Sequence, residues 1–159
     1  MQQPPDYPPI EKEIESSFQS YAIFADDVRR EDNGKLLLIG VYLDDLIVPK
    51  FPAAIMGLNL CVVSAWPANR GPIDLTLRVY QGDKQILEIP DIGSEVPSQD
   101  GAQGPSLLPR VRRLRSFLRL PPLMFDGPTA IRVRLESEGV VHRTGVLRVA
   151  AQESSTEEN

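Results

Sequence analysis

Residues 21–42 read YAIFADDVRREDNGKLLLIGVY, and the interpretation of this stretch decides the fold. A short apolar run at 20–25, a charged segment at 26–34 and a longer apolar run at 35–42 predict a β-hairpin. Asn33-Gly34 supplies residues that accept the positive φ of a tight hairpin turn. The second run carries Leu36, Leu37, Leu38, Ile39 and Val41, so it is apolar on both faces. That pattern belongs to a strand covered on both sides, which makes this the central hairpin of a sheet with Asp26 to Asp32 at its turn end.

The chain on either side supplies strands for the rest of an all-β core. Residues 55–66 read as one long strand, with Met56, Leu58, Leu60, Val62 and Trp66 on one face and Gly57, Asn59, Cys61 and Val63 on the other. Residues 74–80, DLTLRVY, alternate with Leu75, Leu77 and Val79 inward. Gln81-Gly82-Asp83 then turns the chain into 84–89, a second hairpin. Residues 130–136, AIRVRLE, alternate in the same way with Ile131, Val133 and Leu135 inward. Glu138-Gly139 leads into 140–150, with a kink expected at Gly145. Residues 110–120 fit a helical stripe of Val111, Leu114 and Leu118, or a strand. We favour a strand from about Ser116, with 110–115 leading into it. The spacing of seven to nine strands with turn signals between them predicts a two-sheet antiparallel β-sandwich, immunoglobulin-like or related.

Three segments read differently. Residues 1–17 combine a Pro-rich start, PPDYPP, with an acidic run, and predict an extended arm rather than core. Pro4-Pro5-Asp6-Tyr7 matches the Pro-Pro-x-Tyr pattern docked by WW domains, a match that four letters in such an arm reach easily by chance. Residues 90–109 are rich in Pro, Gly, Ser, Gln and Asp and predict a long loop. Residues 151–159, AQESSTEEN, predict an acidic tail outside the fold. The expected organisation is therefore an arm at 1–17, one β-domain at 18–150 and a tail.

The segment at 21–52, with its Phe-x-Asp-Asp-x-Arg and Gly-Lys-x-x-x-Ile-Gly-Val-Tyr parts, and the later GPTAIRVRLESEGVVHRTGVLRV carry a resemblance. Over residues 20–150 the chain resembles a family of small bacterial proteins catalogued only as a domain of unknown function. The resemblance implies a bacterial or phage-associated origin and transfers no activity and no site residues.

The chemistry the residues allow is narrow. A single cysteine, Cys61, excludes an intramolecular disulfide and a cysteine-built metal knuckle. The N-terminus shows no basic-then-apolar leader, and no run reaches the length of a membrane-crossing helix, so the expected location is cytoplasmic. His142 is the one histidine. No nucleophile elbow, phosphate loop, dinucleotide fingerprint or zincin motif accompanies it, so no catalytic residue and no cofactor is assigned. Asp26, Asp27 and Asp32 offer oxygen ligands of the calcium type without the spacing of a calcium loop. Asp44-Asp45 fall at the far end of the expected hairpin, roughly 27 Å away. Carboxylates that converge only in three dimensions remain open to hydrolytic chemistry.

Charge is unevenly placed. Residues 1–104 carry eight Lys/Arg against 16 Asp/Glu, whereas 105–150 carry nine Arg against three acids. Such asymmetry marks an interaction surface, or else neutralises internally when the halves pack. The densest run is Arg110, Arg112, Arg113, Arg115 and Arg119, with Phe117 among them. Arginine's planar fork suits carboxylate and phosphate. The acidic net charge of −5 and the scarcity of interleaved aromatics count against nucleic acid. The contact surface predicted from sequence is Asp26, Asp27, Arg29, Arg30, Arg110, Arg112, Arg113 and Arg115, facing a protein partner or a second copy by edge pairing. A carbohydrate- or metal-binding module using the loops at 26–32 and 90–109, or an enzyme without a recognisable motif, stands as the alternative.

Overall fold

The computed structural model describes residues 18–33, 35–92 and 111–153. The expected N-terminal arm and nearly all of the loop at 90–109 lie outside these residues. Eleven strands form among the described residues, more than the seven to nine expected, because two short strands pair apart from the main sheets. Among the described residues there is no α-helix, only a 3-10 turn at Ala68–Arg70, and no described helix is long and apolar enough to cross a membrane.

The first sheet has the order β2-β1-β5-β8, built from β2 (Leu36–Tyr42), β1 (Gln19–Arg30), β5 (Asn59–Pro67) and β8 (Val111–Arg119), all antiparallel. The second has the order β3-β11-β10-β6-β7, from β3 (Asp45–Val48), β11 (Val140–Ala151), β10 (Thr129–Ser137), β6 (Thr76–Gln81) and β7 (Lys84–Ile89). Only β3 runs parallel to its neighbour, β11; the other pairs are antiparallel. A two-stranded ladder joins β4 (Ala53–Ile55) to β9 (Leu123–Phe125). Neither main sheet closes into a barrel.

Alternation explains the core. From the first sheet Phe24, Leu60 and Val62 point inward; from the second Leu77, Val79, Ile131, Val133, Leu135, Leu147 and Val149 meet them, all buried. The inward residues expected on 74–80 and 130–136 take those places. Trp66, Ile73 and Leu75 form a smaller cluster with Phe18 and Leu114 against it, and the Trp66 indole N–H donates to the Gly71 carbonyl at 2.9 Å. His142 packs against Phe18, with ring centroids 4.3 Å apart and the rings tilted by 42°.

The kink expected at Gly145 is a β-bulge. The β10–β11 register shifts between Val133, opposite Gly145, and Arg134, opposite Arg143. There the two sheets approach closely: a Cβ on Gly145 would stand 2.7 Å from that of Ala22, and the Ser20 and Thr144 hydroxyls lie 3.0 Å apart.

Several expectations are corrected. The hairpin at 21–42 is not central, because among the described residues β2 is an edge strand hydrogen-bonded to β1 alone. The central strand apolar on both faces is β5, held between β1 and β8. Asp26 and Asp27 lie within β1 rather than in the turn, since the register Arg30↔Leu36 and Phe24↔Tyr42 continues the ladder to Arg30. Asp26 is therefore across from Gly40, and the estimated separation from Asp44 shrinks to roughly 14 Å, four residues along the strand. Residues 55–66 are not one strand: the chain leaves β4 at Ile55 and enters β5 at Asn59, with Met56 exposed rather than inward. Residues 111–119 form a strand throughout, so the strand expected from about Ser116 already begins at Val111 and the helical alternative is not taken. At the tail, Ala151 still belongs to β11, and the Gln152 amide donates to the Val48 carbonyl.

Candidate functional site

The outer faces of the two sheets differ in kind. On the second sheet Arg78, Arg132 and Arg148 are met by carboxylates, whereas Arg134 and Arg143 form no ion pair among the described residues. Arg78 lies between Glu88, at 2.8 Å, and Glu136, and both hold its guanidinium above its ordinary pKa. Arg148 forks onto both oxygens of Asp45 at 2.7 and 3.3 Å, and Arg132 reaches Asp83 and the Gly82 carbonyl. At Arg132 and Arg148, acids from the first half of the chain thus meet arginines of the second half, one of the two outcomes the charge asymmetry allowed.

The first sheet presents the other outcome. In β8, Arg113, Arg115, Phe117 and Arg119 alternate outward while Leu114 and Leu118 pack inward. None of Arg113, Arg115 and Arg119 forms an ion pair among the described residues. The register lays apolar rows beside them: Tyr21–Val63–Arg115, Ile23–Cys61–Phe117 and Val41–Ala25–Asn59–Arg119. Tyr21 is 53% exposed on this face. A cleft of about 260 Å³ opens between Tyr21, Val63, Ala65, Arg113 and Arg115. It lies at the small end of ligand-pocket sizes, so it suits a single side chain better than a cofactor. Cys61, between Ile23 and Phe117, is buried, and burial pushes its thiol up, partly offset by Arg115.

The residues predicted from sequence separate. Arg113 and Arg115 belong to this face. Arg112 points the other way, its Nε reaching the Ala68 carbonyl at 3.5 Å, and Arg110 lies outside the described residues. Asp27 and Arg29 sit on the same outer face near β2 and pair with each other at 2.8 Å, which holds the Asp27 carboxyl below its usual range. Asp26 serves structure. It accepts from the Tyr42 hydroxyl at 2.5 Å, while its carbonyl accepts from the Asn59 amide at 2.7 Å. Burial, then Asp26, pushes Tyr42 up to about 12. Arg30 ends β1 exposed beside the turn, opposite Leu36.

Residues 20–150 match the family described as "Family of unknown function (DUF6941)". The chain belongs to that family. No curated protein and no solved structure matches it. The resemblance read from residues 20–150 holds, and since the family carries no assigned chemistry, the site rests on geometry.

Sequence reasoning missed Tyr21 and the outward residues of β2. It also missed one pair of converging acids: Asp91 lies beside Asp74 and raises its carboxyl above the ordinary range. Asp74 precedes β6 and Asp91 follows β7, so the two meet only once that hairpin closes. Among the described residues, no group of three or more His, Cys, Asp or Glu is placed to hold a metal ion.

Proposed function

We propose that this protein is a non-catalytic docking module that takes a partner protein on the outer face of its first sheet. The observation that carries this reading is the outer face of the first sheet, where apolar rows lie beside Arg113, Arg115 and Arg119 and none of the three meets a carboxylate, whereas Arg78, Arg132 and Arg148 of the second sheet do. Charge complementarity sets the partner's chemistry: a segment with apolar side chains for the rows at Ile23 and Val63 and carboxylates for Arg113, Arg115 and Arg119. The cleft beside Tyr21 anchors one side chain of that segment. The apolar breadth of the face favours protein over single-stranded nucleic acid, which wants stacking rings along a continuous basic groove. We also read the facing sheets as a sandwich related to the immunoglobulin type, supported by the antiparallel hairpin of β10 and β11.

The test compares capture from extracts of the native host by three forms of the full chain. These are the wild type, the triple variant Arg113→Glu/Arg115→Glu/Arg119→Glu, and Val141→Lys on the second sheet. One set of proteins held by wild type and Val141→Lys, lost by the triple variant and weakened by salt, is the expected result. Identical capture by all three would overturn the reading.

A further inference from the structure

On the outer face of the second sheet three arginines stand side by side. The registers set Arg78 of β6 opposite Arg134 of β10, and Arg134 opposite Arg143 of β11. Like charges directly opposite one another destabilise a sheet unless counterions lie among them. Arg78 has two counterions, Glu88 and Glu136. Arg134 is half-buried and has none among the described residues, where its polar contact is with the carbonyl of its neighbour Val133 at 3.3 Å. Arg143 likewise meets no carboxylate among the described residues.

Beside Arg134 the face is concave. A cleft of about 330 Å³ is lined by Tyr80, Gly82, Asp83, Arg132 and Arg134, a volume within the range of small-molecule sites. Arg132 and Arg134 are two residues apart on β10, so they rise from the same face with Cα atoms roughly 7 Å apart, and Tyr80 lies directly across from Arg132. Arg132 donates to the Gly82 carbonyl at 2.8 Å, while its one carboxylate, Asp83, stands 3.8 Å away and fully exposed. So exposed a pair contributes little and leaves the cation open to a stronger acceptor. We propose that this cleft binds a phosphate monoester carrying a flat ring, with the phosphate on Arg132 and Arg134 and the ring against Tyr80.

Charge and geometry choose that ligand. Arg132, Arg134 and the adjacent Arg143 set three positive charges against the one negative charge of Asp83, an excess of two. A phosphate monoester carries about −1.5 to −2 at pH 7, whereas a carboxylate brings one charge. Each guanidinium fork takes two oxygens of a phosphate, and two forks on one strand face occupy its acceptors from both sides. Tyr80 is half-buried at the end of the cleft, where its ring gives a flat group an apolar wall. Asp83 at one end and Glu88 and Glu136 around Arg78 at the other bound the positive field, which suits a small molecule and not a polyanion. The cleft belongs to the second sheet, so it is independent of the docking surface at Arg113 and Arg115.

Isothermal titration calorimetry of the full chain at low ionic strength tests this, with inorganic phosphate, adenosine monophosphate and adenosine as probes. The nucleotide is expected to bind more tightly than inorganic phosphate, and adenosine is expected to give no heat. Arg134→Gln is expected to weaken the nucleotide by about tenfold or more. Its thermal transition is expected to stay or rise, because the cross-strand repulsion is relieved at the same time. Tyr80→Leu is expected to bring the nucleotide down to the level of inorganic phosphate, and Arg115→Gln on the first sheet is expected to bind as the wild type does. No phosphate-dependent binding at millimolar nucleotide would overturn the proposal, as would equal binding by wild type and Arg134→Gln. A nucleotide no tighter than inorganic phosphate, or one weakened as much by Arg115→Gln as by Arg134→Gln, would overturn it too. Any of these results leaves capture through Arg113, Arg115 and Arg119 to stand or fall on its own test.

Discussion

The interior of the first hairpin is set by one carboxylate. Gly40 has φ +64°, and a Cβ there would fall 2.1 Å from Asp26 Oδ2, so only glycine leaves room for Asp26 to reach Tyr42. The phenol is neutral in the fold and is kept so first by burial and then by Asp26, which moves its pKa from 10 to about 12. A group held protonated in this way stabilises the fold fully below pH 10 and loses that contribution as pH rises towards 12. The difference between ultraviolet titrations of wild type and Tyr42→Phe is therefore expected to show one phenol with a midpoint near 12. Asp26→Asn is expected to lower that midpoint without returning it to 10, because burial is the larger cause. A midpoint near 10 in the wild type would refute the contact. The role of Asp26 was within reach of the sequence. Asn33-Gly34 marks the turn in the sequence, and reflecting the seven residues of β2 about it lands on 25–31, one residue from the observed 24–30; either register puts Asp26 in the ladder. Charge density drew it into the loop instead.

At the level of elements, alternation was legible wherever one face is buried and the other solvated. β6 and β10 follow it residue by residue, and so does β8 once the period-two placement of Arg113, Arg115 and Arg119 is set against the helical stripe. Two-sided apolar runs were ambiguous, because the composition of β2 resembles that of β5 while their positions in the sheet differ. Where the sheets touch is not periodic at all. Gly145 marks it, since β11 bulges there and lies against Ala22 of β1. Gly145→Val is expected to cost about 1–3 kcal/mol by overpacking, measured by urea unfolding. The same substitution is expected to cost less in an Ala22→Gly background, where the opposing methyl is gone. An equal loss in both backgrounds would show that this contact is not the cause.

Across the whole molecule, the excess of acid in the first half and of arginine in the second resolves differently on the two sheets. Strand order decides which arginines meet acids, and strand order is not written in composition. Asp45 reaches Arg148 because β3 lies beside β11, and Glu88 reaches Arg78 because β7 lies beside β6. Among the described residues β8 is an edge strand whose one neighbour, β5, has no charged residue, so Arg113, Arg115 and Arg119 project from the face without carboxylates in ion-pair reach, Arg119 donating only to the Met56 carbonyl. This division carries a stability consequence separate from binding. Replacing all three β8 arginines by glutamine is expected to leave the melting temperature nearly unchanged, since exposed cations without ion pairs contribute little to folding and the exposed contact from Arg119 to the Met56 carbonyl is long at 3.5 Å. Arg78→Gln is expected to lower it, because Glu88 and Glu136 would then face each other without the cation between them. The direction should also depend on pH. The Arg78 guanidinium, with Gln85, holds Glu88 below its usual range, so the difference between wild type and Arg78→Gln is fully present above the ordinary glutamate pKa. It is expected to fade as acid titrates the carboxylates. Melting curves at pH 7 and at pH 3 would separate the cases. A triple glutamine variant that melts as low as Arg78→Gln at pH 7 would mean that the β8 row is part of the fold's own electrostatics and not a surface held ready for a partner.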